Sequence, residues 1–165
     1  MSQPALSPSV NSLNRLDQEI ETILTSFDSH YVWNYGSVKE GLLDLYEKAK
    51  RDQWNGTTQL AWDTPVEPEG DIIPPAINPL VDYRPFQKLD AKERARLRHA
   101  QISLQLSQFL HGEQGALIVA SQLVGGVPWM DAKYYAGTQT MDEARHVEVF
   151  SRYLHDKLEW EWPIN

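Results

Sequence analysis

Cysteine is absent from all 165 residues. That excludes disulfides, thiolate metal sites and cysteine nucleophiles, and leaves carboxylate and imidazole as the strong metal ligands on offer. No stretch approaches the roughly 18 uninterrupted apolar residues that mark a bilayer-spanning helix, and Met1 to Val10 has neither a basic n-region nor an apolar h-region. A cytoplasmic protein without a membrane partner is the expectation. Basic side chains are scarce, 15 against 23 acidic ones, for a net charge of −8; that balance repels phosphate backbones, so no nucleic-acid partner is expected. The one basic cluster, Lys92 to His99, alternates with small residues and reads as a solvated helix start. Strand-like alternation and internal repeats are missing too. What is present, 41% hydrophobic and 23% charged residues, suits a single all-α domain with a core.

Residues 1–11, rich in Ser, Pro and Asn, read as a flexible tail, with the folded part spanning 12–165. Leu13, Leu16, Ile20, Ile23 and Leu24 share one face of a first helix over about 12–26. After the aromatic stretch Phe27 to Tyr35, Ser37 and Glu40 have capping-box spacing and predict a second helix to about Trp54. Six prolines between 55 and 89 exclude helix and central strand there and predict an irregular arm laid along the bundle. Asp90 and Glu93 form a second capping box opening a core helix over about 90–124, which Gly125, Gly126 and Pro128 end. The last helix runs over about 130–158. The turn between these two is short, so they should pack antiparallel as neighbours.

The chemistry follows from helical phase. Leu106, Leu110, Glu113, Leu117, Ala120 and Val124 fall on one side of the core helix, so Glu113 points where leucines point. On the last helix Ala132, Tyr135, Ala136, Gln139, Glu143, Val147, Phe150 and Leu154 share a side, with His146 one turn from Glu143. Two buried carboxylates are thus expected to face one another beside an imidazole. Burying them costs several kcal/mol unless a cation compensates. A Glu-x-x-His pair offers oxygen and nitrogen from one helix surface, and mainly oxygen donors with one nitrogen suit iron or manganese. Gln139 can line a pocket or hydrogen-bond across the bundle. Gly112 and Gly115, which flank Glu113, fit either close helix packing or room for a metal cluster or small substrate. Tyr134 and Tyr135 read as aromatic packing, His111 as surface or interface, and the tryptophans as core or interface anchors.

Asp142-Glu143-Ala144-Arg145-His146, taken with Glu113 and with Leu45 to Trp54, resembles the N-terminal half of the ferritin-like di-iron oxygenases over roughly residues 30 to 160. That group includes the bacterial multicomponent monooxygenase hydroxylases, the ribonucleotide reductase small subunits and the arylamine N-oxygenases. The resemblance implies a ferritin-like bundle of which this chain holds the first helix pair. Its function would be dioxygen activation at a carboxylate-bridged di-iron centre and oxygenation of a small substrate. It implies Glu113 as a terminal ligand, Glu143 as a bridging carboxylate and His146 as the nitrogen ligand. Asp142 would hydrogen-bond an imidazole of the opposite half, with Arg145 alongside. No catalytic residue beyond the ligands is implied.

The other histidines, His30, His99, His111 and His155, follow Phe27, Arg96, Gln108 and Arg152 three positions earlier, so no second Glu-x-x-His exists. The other half-site must then come from a second copy of the chain or from a complementary chain, as in a truncated or split protein. The end at Trp162 to Asn165 favours truncation or a split gene as the expectation. A homodimeric ferroxidase or iron-binding protein and a metal-free helical assembly module are the alternatives.

Overall fold

Helix α3, Ala91–Gly126, is the longest element, 36 residues or about 54 Å. (Two shorter helices precede it: α1, Glu40–Asp52, and α2, Arg84–Gln87.) Its start is the capping box expected from the sequence. The Asp90 carboxylate accepts from the Glu93 amide at 2.8 Å, and the Asp90 amide donates to the Glu93 carboxylate at 3.0 Å. Its end coincides with Gly125 and Gly126, where the α4 side chain Lys133 donates to the Val124 and Gly125 carbonyls at 2.8 and 3.1 Å, satisfying acceptors the helix leaves open. Helix α4, Met130–Tyr153, follows after three residues and continues into a π-helical turn, Leu154–Leu158. The turn is too short for anything but an antiparallel neighbour, and α3 against α4 is the principal packing of the chain.

This computed structural model describes residues 20, 22–70, 72–158 and 160–164. Among them the chain is all-helical, with no strand. The tail over 1–11 lies outside the described residues, as does most of the helix expected over 12–26. Residues 20 and 22–26, which are described, are not helical, and Leu24 is 95% exposed. An apolar period without a surface to cover does not hold a short helix.

The arm is irregular, as the prolines require, apart from a 3-10 turn at Pro75–Ile77 and α2. Among its described residues Gly56, Ile73, Asn78 and Phe86 are buried, and Lys92 in the first turn of α3 pairs with Glu69 at 2.6 Å. The core proper is lean: Ala95, Leu110, Ala120, Ala132, Ala136 and Leu154 are buried. Leu104, Ile118, Val119 and Leu123 are exposed on the other sides of α3, so the second half of that helix also carries apolar side chains away from α4, while its first turns are charged.

At α1 the structure corrects the sequence reading. Ser37 does not cap the helix through its own side chain, and the N-cap residue is Lys39. Instead the Asp131 carboxylate, 2% exposed at the start of α4, accepts from the amides of Val38 and Lys39 at 2.7 and 2.8 Å. The Ser37 hydroxyl turns toward the same oxygen at 3.5 Å. A carboxylate from a neighbouring helix thus satisfies orphan amides better than a local hydroxyl can, and it ties α1 to α4. These two backbone amides hold the Asp131 carboxyl below its ordinary value of 3.8. A depressed folded-state pKa means that the stabilisation is present above 3.8 and is lost as the pH falls through the lower folded value.

Asp131→Asn should therefore lower stability at neutral pH, flatten the loss of stability below pH about 4, and speed hydrogen exchange at the Val38 and Lys39 amides. Acid titration of the urea midpoint and exchange mass spectrometry read both. Leu154 is fully buried where α4 passes into the π-helical turn; Leu154→Ala should cost about 2–5 kcal/mol in urea unfolding.

Candidate metal centre

The tight turn sets which residues of α3 and α4 face each other. Pro128 lies midway between positions 113 and 143, so in an antiparallel pair these two sit at the same height, some 22 Å from the turn. Phe109, one turn beyond Glu113, and Phe150, two turns beyond Glu143, meet with ring centroids 6.2 Å apart. Between the two levels His146 reaches across: its Nδ1 lies 3.2 Å from Glu113 Oε2 and 3.0 Å from Glu143 Oε2. Glu113, Glu143 and His146 each offer one donor atom, all within 4.8 Å of one another. No other trio of such groups converges among the described residues.

The site is less secluded than the helical phase predicts. The side chains of Glu113, Glu143 and His146 are 26, 20 and 38% exposed, so the carboxylates are half-buried and not buried. Leu110 and Ala120 on the same face are buried as expected, whereas Val124 is exposed. The cause is the open flank beside Glu113. A Cβ added at Gly112 or Gly115 would meet nothing within 4 Å, and Phe109, Val119 and Leu123 are all exposed. Of the two readings of those glycines, room and not close packing describes their surroundings here.

The donor set fits a divalent cation. Oxygen or nitrogen donors about 2.1 Å from a six-coordinate ion stand about 3 Å apart along an octahedral edge, which matches the 3.0 and 3.2 Å separations. One ring nitrogen has at most one proton to share between two carboxylates, whose mutual repulsion at this range is of order 1–3 kcal/mol in a half-solvated setting.

Asp142, Arg145 and Gln139 form a separate, connected layer. The Arg145 guanidinium donates to Asp142 through Nη2 and to the Trp54 carbonyl through Nη1 at 3.1 Å, and it lies 4.6 Å over the Trp54 ring. Gln139 Nε2 donates to the other Asp142 oxygen at 3.4 Å. Arg145 is thus buried at the root of the arm. The sequence did not connect it with Trp54, which was assigned to the end of α1; that helix closes at Asp52. A cavity of about 360 Å³ opens beside Glu143 and His146, walled by Leu45, Ala49 and Gln53 of α1 and its exit and by Tyr135 and Gln139 of α4. Tyr134 stacks on Tyr46 at 5.2 Å, consistent with a packing role. His111 points away from the site and contacts the Trp162 carbonyl at 2.9 Å.

Comparison with family models, with curated proteins and with solved structures returned no match. No helix among the described residues is long and apolar enough to cross a membrane.

Arg145→Ala removes a buried charged donor and its ring contact, and should cost about 2 kcal/mol. Limited proteolysis should then cut first in residues 55–66, with α3 and α4 still protected.

Proposed function

We propose that this chain carries one half of a carboxylate-bridged di-iron centre in a ferritin-like bundle, as a component of an oxidoreductase that uses dioxygen to oxygenate a small substrate. The single observation that supports it most is the convergence of Glu113, Glu143 and His146 on one point. The Asp142–Arg145 ion pair stands beside it on the same helix. Glu113 and Glu143 would hold iron, or manganese, through their carboxylates and His146 through Nδ1. The metal's contribution is activation of dioxygen.

The chain's own residues do the rest. The Asp142–Arg145 ion pair fixes the α4 surface on which Glu143 and His146 stand, as outer hydrogen bonds do for ligand orientation. Tyr135, Leu45 and Ala49 give the cavity beside the ligands an apolar wall. Three protein donors fall short of two complete coordination spheres, so a second copy or a complementary chain supplies the remaining ligands across the open flank beside Gly112 and Gly115. In the self-paired case a ferroxidase without an organic substrate is the alternative. The direct hydrogen-bond reach of His146 to both carboxylates favours, as a second reading, a metal-free structural network in a helical assembly module.

Anaerobic Fe(II) titration separates them. The wild-type chain should bind iron saturably and gain about 2.7 kcal/mol of stability at a hundredfold excess over Kd. Glu143→Ala should lose both effects while its helical circular dichroism stays intact. Equal iron uptake by wild type and variant, or no stabilisation of either, leaves the structural network as the surviving reading.

A further inference from the structure

A second cavity, of about 360 Å³, lies between the arm and the α3–α4 pair, and its walls are almost wholly apolar. Leu60, Trp62 and Val66 of the arm form one wall; Leu106 of α3 and Phe150 and Tyr153 of α4 form the other. Phe150 is one turn beyond His146, about 6 Å along the helix. None of the three candidate metal ligands lines this space.

The arm is anchored over it by groups that turn their polarity outward. Lys157, in the π-helical turn, donates to the carbonyls of Trp62 and, at 3.0 Å, Thr64. The Trp62 indole donates to the Gly56 carbonyl at 2.6 Å, and the Arg152 guanidinium lies 4.1 Å from the centre of its ring. Thr57 donates to Glu148 at 3.0 Å. Gly56 presses against α4 so closely that a Cβ there would stand 2.7 Å from Val149 Cγ2. The contacts that seat the arm therefore engage both cationic side chains near the cavity, Lys157 and Arg152, with carbonyls and a ring face. What faces inward is hydrocarbon and aromatic surface.

We infer that this cavity is a binding site for a small uncharged molecule with an aromatic ring, held between Trp62 of the arm and Phe150 and Tyr153 of α4. An apolar cavity of roughly 150 Å³ takes one benzene ring, so this volume holds one or two fused or linked rings. Three aromatic walls supply offset-stacked or edge-on contacts, and an ionised ligand would forfeit its hydration against walls that are almost wholly apolar, the one cation that lines them, Lys157, being committed to the Trp62 and Thr64 carbonyls. The cavity is partly open to solvent at the arm, so entry does not require the arm to unseat. The site does not depend on metal at Glu113, Glu143 and His146.

The test uses fluorobenzene as probe and metal-free full-length protein, read by fluorine NMR line broadening and shift. Saturable binding is expected, unchanged in Glu143→Gln, which separates this site from the metal reading. Ala61→Trp fills the cavity from the arm and Leu106→Phe from α3, and each should weaken binding at least about tenfold with helix content retained. Exposed apolar surface is the competing location, and Leu123→Ala on α3, far from the cavity, should leave affinity unchanged. Benzoate should bind at least about tenfold more weakly than fluorobenzene. The inference is overturned by non-saturable association, by equal affinity in both filled variants and wild type, or by benzoate binding as tightly as fluorobenzene.

Discussion

Everything in this molecule is referred to the packing of α3 against α4. Two long helices joined by a three-residue turn have one antiparallel register, and the turn's position decides which side chains meet. Because Pro128 is equidistant from Glu113 and Glu143, the carboxylates arrive at one height, and His146, a turn further on, reaches back between them. A one-residue change in the turn would rotate the register by about 100° and separate the three. The site is a consequence of loop length as much as of ligand identity.

Around that pair the remaining segments are attached by polar contacts made at defined points. Asp131 gathers the first amides of α1, Arg145 holds the exit of α1 through Trp54, and Lys157 holds the arm. All three anchors come from α4 or the turn that follows it, while the apolar core beneath is thin and built largely of alanine and leucine. Such a design leaves surface to spare. The second half of α3 exposes several apolar side chains, and its flank beside Glu113 is open. That flank is where a partner would complete the ligand set we propose, whereas the aromatic cavity under the arm is lined by this chain alone and stays partly open to solvent.

Much of this was legible from residue pattern. The Asp90–Glu93 box and the Gly125-Gly126 stop located α3 within a residue or two, because capping and termination are local chemistry. The pairing of 113 with 143 and 146 followed from helical period plus a short turn, two rules that hold whatever the tertiary detail. The α1 start was misjudged because Ser37 and Glu40 have the right spacing for a capping box, yet a buried carboxylate 94 positions away from Ser37 competes for the same region. Burial of the ligands was overestimated for a related reason: phase tells which way a side chain points, not whether another element stands opposite it.

From the amino-acid sequence alone came the all-helical class, the bounds of the two long helices and the identity of the three converging donors, since these depend on contacts within a few residues and on one short turn. Tertiary structure alone decided that Asp131 holds the amides just ahead of α1, that Arg145 reaches Trp54, that the arm lines an aromatic cavity and that the donors are half-exposed. Those outcomes depend on how distant segments compete for the same surface, and distance along the chain carries no record of that competition.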